Sequence, residues 1–282
     1  MSPAFPQTTL YWDSNKTTAG SGNLGGSWSS TSKKWSTAPA GNIATQGWIG
    51  DSSAIFSAGT DSTGSYTVNV VATQTVKNIT VEEGNPTLRG GSLNFSVTTS
   101  TIDVAANSTL TLSNSLDANG SMSIVTAGSL TKSGEGTLAL AKNLSLAGSL
   151  NISGGTLLLS GTNYSFGTMD VTGNSIIDFV GNTTLSIGTL VLAPGATLTI
   201  RDWLDASDAF SVTTWTGATM DTKDVAPMNQ VSFVGNIGPG SIWESFDHRV
   251  RPVPEPSHYG AILVGTLGGI GLFCRFLNIR RQ

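Results

Sequence analysis

Two stretches twenty residues apart (148 − 128), Gly128-Ser129-Leu130-Thr131-Lys132-Ser133-Gly134 and Gly148-Ser149-Leu150-Asn151-Ile152-Ser153-Gly154, share both glycines, both serines and the first leucine. A second unit, Gly136-Thr137-Leu138-Ala139-Leu140, returns as Gly155-Thr156-Leu157-Leu158-Leu159 at an offset of 19 (155 − 136), and as Gly188-Thr189-Leu190-Val191-Leu192 after a further 33 (188 − 155). Self-similarity at a nearly fixed short period confines a chain to stacked units, each burying its apolar face on the next. Within each copy apolar and small polar residues alternate with period two, so the stacked unit is a strand. Roughly twenty residues is about one coil of a β-solenoid, with equivalent leucines forming inner ladders and glycine permitting the corners.

The same alternation opens earlier, in Tyr66-Thr67-Val68-Asn69-Val70, Asn78-Ile79-Thr80-Val81 and Ser92-Leu93-Asn94-Phe95. The expected fold is all-β: a right-handed parallel β-solenoid over residues 66–200, preceded by a Trp/Gly/Ser-rich, loop-rich cap over 1–65 and followed by a closing segment over 201–250. Residues 251–282 form a separate tail. With 38% hydrophobic residues the chain is not a charged disordered one, and only 11% of residues are charged. A net charge of −4 leaves no basic surface for phosphates, which excludes nucleic acid as a partner. The single cysteine, Cys274, cannot form an internal disulfide.

Four tryptophans, Trp12, Trp28, Trp35 and Trp48, stand among Gly, Ser, Asn and Asp near the start. A solenoid's first rung has an open end, and large rings cover it with much apolar area per residue. The alternative is glycan contact, with the indoles stacked on sugar rings. Tyr11-Trp12-Asp13, Gly26-Ser27-Trp28, Lys34-Trp35 and Trp48-Ile49-Gly50-Asp51 resemble the leading segment of autotransporter-associated β-strand repeat proteins. The run from Leu130 to Leu140 is similar to that family's core motif, although Ala141-Lys142-Asn143-Leu144-Ser145-Leu146 replaces its longer Gly- and Thr-rich turn. No outer-membrane barrel pattern follows.

The tail reads as an address. Val253-Pro254-Glu255-Pro256 is forced into an extended backbone by its prolines, and an apolar run from Tyr259 to Cys274 follows. The seventeen uncharged residues from His258 to Cys274 (274 − 258 + 1) would rise roughly 25 Å as a helix, a little short of a ~30 Å hydrocarbon core. Arg275 can snorkel and extend the span. Arg280 and Arg281 then mark the cytoplasmic side. Gly260, Gly265 and Gly269 thin one helix face for close approach of another helix, and Tyr259 and Phe273 lie near its ends.

Pro-Glu-Pro, a short transmembrane helix and a basic end, in that order, resemble the PEP-CTERM sorting signal of Gram-negative bacteria. The resemblance implies an exosortase as partner, a transient anchor in the inner membrane, cleavage near Pro254-Glu255-Pro256, and delivery to the envelope surface or extracellular matrix, with extracellular polysaccharide as a further partner. Met1-Ser2-Pro3-Ala4-Phe5-Pro6 lacks the basic and apolar regions of an export signal, so export calls for an entry signal upstream.

An enzyme is the rival reading, since β-solenoids include polysaccharide lyases and hydrolases. Such a site needs clustered carboxylates. Asp103, Asp117, Glu135, Asp170 and Asp178 share no coil period, and Asp202-Trp203-Leu204-Asp205-Ala206-Ser207-Asp208 lacks the Gly and Glu of a calcium loop. No catalytic residue, metal ligand or cofactor is assigned, and the passenger is expected to be non-enzymatic.

Overall fold

The computed structural model describes residues 8–22, 25–113, 123–126, 128–222, 225–234 and 240–253. Its strands alternate between two sheets, one of twelve strands and one of nine. Apart from the antiparallel pieces at the two ends, the strands pair in parallel with their equivalents one coil away, giving a β-solenoid of about seven turns. The first sheet carries nine-residue strands such as Leu144–Ile152, Asn163–Val171 and Thr184–Leu192, and the second carries five-residue strands such as Gly155–Leu159 and Ser175–Phe179.

The repeats stack largely as the sequence expects. Leu130 lies opposite Leu150, and Thr137 and Leu138 lie opposite Thr156 and Leu157. One equivalence fails: Gly188-Thr189-Leu190 stacks on Gly167-Thr168-Met169 in the first sheet, whereas the Gly155 copy belongs to the second. A glycine followed by inward-facing alternation occurs in both sheets, so the motif does not encode which face it occupies.

The solenoid also exceeds the expected 66–200 at both ends. Thr9–Trp12 and Gly26–Trp28 already form a first rung, parallel to Ser52–Ile55 and to residues of Ser65–Val70. At the other end Ala209–Trp215 and Val231–Phe233 extend the two sheets. Loop insertions between these strands break the period, which hides them from sequence reading.

Inward positions fill one continuous apolar core. In Asn163–Val171 the buried residues are Tyr164, Phe166, Met169 and Val171, so the period-two phase slips by one at Gly167-Thr168. Every long strand of the later coils turns at this place, and a glycine column runs along it. A Cβ on Gly128 would lie 2.3 Å from the Thr98 carbonyl oxygen, on Gly148 2.5 Å from that of Gly128, on Gly167 2.1 Å from that of Ala147, and on Gly188 2.5 Å from that of Gly167. These glycines are needed for close approach of successive rungs. Gly134 and Gly155, with φ of 72° and 67°, are turn glycines of the kind the sequence suggests.

Both ends are closed. Trp35–Ser36 runs antiparallel to Thr9–Trp12 and covers the first edge of its sheet. The hairpin of Ser241–Trp243 with Val250–Pro252 closes the far end: Trp243 Nε1 donates to the Val212 carbonyl at 2.9 Å, and the Val212 amide donates to the His248 carbonyl at 2.9 Å. Residues 251 and 252, expected to open the separate tail, are therefore part of the folded body together with buried Val250. Arg251 holds them there through Glu244 at 2.8 Å, Asp247 at 3.3 Å and Asp205 at 3.4 Å.

Candidate functional site

The Trp-rich start is a core. Trp12, Trp28 and Trp35 are fully buried and Trp48 is 5% exposed. Trp35 sits at the centre of the cluster, its ring 5.1 Å from Trp12, 5.1 Å from Trp28, 4.7 Å from Trp48 and 5.7 Å from Phe56. Glycan contact through these four indoles is thereby corrected, because a sugar needs an accessible ring face and these rings are buried in the core.

The outer face of the first sheet offers a different surface. Parallel register aligns Ser145, Ser165, Ser186 and Ser211 in one row. Beyond the glycine corner it aligns Ser149, Thr168, Thr189 and Thr214 in a second, which Ser129 and Thr99 continue. A shallow groove of about 460 Å³ crosses the first row, its polar lining drawn from Asn143, Ser145, Asn163, Ser165, Thr184 and Ser186. Asn143 Oδ1 already accepts from the Thr162 and Asn163 amides and the Thr162 hydroxyl, so its side chain is held in place. The lining has no charged group and no nucleophile with a base beside it. With Leu144 and Tyr164 also in its lining, the groove offers apolar contact beside hydroxyl and amide hydrogen bonds, which suits a neutral ligand. Sequence reading missed it because spacings of 20, 21 and 25 between the serines share no visible period.

Among the described residues Asp103, Glu135, Asp170 and Asp178 do not stack on one another as a carboxylate ladder. Asp103 accepts from the Ser133 hydroxyl, and Asp117 lies outside the described residues. In the turn from Asp202 to Asp208, Asp208 binds the Thr183 and Leu204 amides, as a turn aspartate does. One pair does form. Asp178 lies opposite Arg201, and burial, then the neighbouring Asp202 charge and a hydrogen bond with that carboxyl, raise its pKa above the usual carboxylate value.

A raised carboxylate contributes stability fully present below its unfolded value of 3.8 and lost as pH rises through the higher folded value. Asp178→Asn removes the like charge and places an amide donor beside Asp202. It is expected to stabilise the protein by roughly 0.2–1 kcal/mol at pH 7 and by nothing measurable below pH 3.8. Thermal melts at both pH values check this, and an equal or larger gain in acid would contradict it.

Lys132 is fully buried in the inward position between Ile102 and Ile152. Its Nζ donates to the carbonyls of Ser133, Gly134 and Gly154 at 2.7, 2.8 and 3.1 Å. Burial pushes it down to about 8, with Asp103 opposing. With all three protons engaged it pins two rungs together and is not free to act as a base or nucleophile. The aligned copies carry a signal for it, since Lys132 matches Ile152.

Among the described residues no helix is long and apolar enough to cross a membrane, and no group of three or more His, Cys, Asp or Glu is placed to hold a metal ion. Val253, the last described residue, hydrogen-bonds through its amide to the Gly240 carbonyl at 3.4 Å. The rest of the expected sorting motif (Pro254, Glu255, Pro256), the anchor (Tyr259, Gly260, Gly265, Gly269, Phe273, Cys274) and the basic end (Arg275, Arg280, Arg281) lie outside the described residues. No protein-family model, curated protein or solved structure matches the chain.

Proposed function

We propose that this chain is a non-enzymatic, exported β-solenoid surface protein, delivered to the envelope surface or extracellular matrix of a Gram-negative bacterium by a C-terminal sorting signal that an exosortase cleaves. The observation that carries the reading is the order of parts: a closed solenoid whose final strand ends at Pro252, then Pro254-Glu255-Pro256, an uncharged apolar run, and Arg280-Arg281. Prolines at 254 and 256 disfavour helix in the motif, which suits a segment that a protease is to grip. The arginines hold the opposite end of a spanning helix on the cytoplasmic side. The hydroxyl rows and the uncharged groove suit contact with neutral polysaccharide, in keeping with a matrix location.

The test is the C-terminus of the mature protein. Expressed with a working export signal in a host with an exosortase, the chain should lose its tail and leave the inner membrane. With Glu255→Ala, or without the exosortase, it should stay full-length and membrane-bound with its N-terminal side exported. An intact Arg280-Arg281-Gln282 end on surface-exposed protein, read by mass spectrometry, would refute sorting and leave a permanent anchor.

A further inference from the structure

Four of the eight exposed large hydrophobic side chains among the described residues lie toward the end of the solenoid nearest the tail. Phe246, in the turn of the closing hairpin, is 96% exposed, and Leu204 is 58% exposed. Their positions are linked: Arg251 grips Asp247, next to Phe246, and Asp205, next to Leu204. Val234, which directly follows the last strand of the second sheet, is 53% exposed. Val225, 56% exposed, accepts from the Met228 amide, whose own carbonyl takes the Ser241 hydroxyl of the hairpin. The four side chains thus belong to elements that close one end of the stack.

Chain length says what this end faces. Val253 is tied to Gly240, and the apolar run begins at Tyr259, six residues on (259 − 253). Six extended residues reach at most roughly 20 Å. If the run spans a bilayer, as proposed above, the end plate hangs within that distance of the lipid surface. Phe246 and Leu204 each flank a carboxylate held by the one Arg251 guanidinium, and exposed apolar side chains gathered at one end of a fold mark a site of contact with a partner or a membrane. Arg249 and Arg251 are paired with Asp205, Glu244 and Asp247, so the plate has no surplus positive charge for anionic lipid. The attraction is apolar.

We propose that the C-terminal end plate, with Phe246 and Leu204 as its wedge, docks into the headgroup layer of the membrane that holds the tail. Docking stands the solenoid on its end and keeps Pro254-Glu255-Pro256 at the lipid surface, within reach of a membrane-embedded enzyme. The inference rests on the spanning tail, and its test separates the two.

The full-length chain, with Cys274→Ser and a single cysteine at 246, 204 or 43, carries a nitroxide label and is reconstituted into phosphatidylcholine–phosphatidylethanolamine vesicles. Position 43, in the Trp-rich unit at the other end, is the reference. Labels at 246 and 204 should be relaxed more by oxygen than by a water-soluble nickel chelate, and the label at 43 the reverse. Phe246→Ser should shift the label at 204 toward the chelate. If the protein floats with the vesicles but 246 and 204 report water, docking is overturned and the spanning tail stands. Spin–spin broadening at 246 that vanishes on dilution with unlabelled protein would mean a second copy covers the plate, which also overturns docking. If the protein does not float, the spanning reading fails and docking with it.

Discussion

Trp35→Ala should lower the stability of the folded chain by roughly 3–5 kcal/mol, the range for deleting a fully buried tryptophan. Its ring touches Trp12, Trp28, Trp48 and Phe56, so removal leaves a cavity walled by rigid indoles that cannot collapse without moving one another. The loss should be local at first. A solenoid's stability is approximately a sum of unit and interface terms, so the first rung should open and become protease-sensitive before the coils beyond residue 66. Ile43→Ala, at a side chain 40% exposed in the same unit, should change stability by less than about 0.5 kcal/mol. Denaturant melts with limited proteolysis read both effects. A Trp35→Ala protein that melts like wild type, with its first cut outside residues 9–65, would mean that the cluster does not hold the cap.

How much of this was readable in the chain depends on whether the feature repeats. The Leu130–Leu150 and Thr137–Thr156 alignments were legible because their spacing matches a coil with no insertion. The first rung was not: Leu10 and Ala54 stack on either side of a long excursion carrying Trp28, Trp35 and Trp48, and a four-residue strand has too little alternation to stand out. Asp178 and Asp202 meet because one lies next to the end of a strand of the second sheet and the other opens a turn at φ 53°, a coincidence of three dimensions with no sequence period. Lys132 was readable in principle from its alignment with Ile152, yet composition alone would send a lysine outward. For the tryptophans the residue type was informative and its purpose open, since an aromatic cap and a sugar platform use the same rings.

The glycine column makes the second large prediction, and it separates two reasons for a glycine. Gly167 shows no positive φ, so alanine there meets no backbone penalty of the left-handed kind. Its Cβ would instead sit 2.1 Å from the Ala147 carbonyl oxygen and 3.2 Å from that of Gly148. These are backbone atoms on the previous rung, and neither can swing aside as a flexible side chain would. Relief requires parting Leu144–Ile152 from Asn163–Val171 at the corner, where the register between them already shifts around Leu146 and Ser149. Gly167→Ala should therefore cost about 3 kcal/mol, the upper part of the range for inserting a methyl into a packed interior. At Gly64, exposed and with nothing within 4 Å of a built Cβ, the same change should be nearly neutral. Equal melting of the two variants would show that the column merely tolerates glycine. A large loss confined to Gly167→Ala would show that it sets how closely successive coils approach, and with that the spacing of the serine and threonine rows on the outer face.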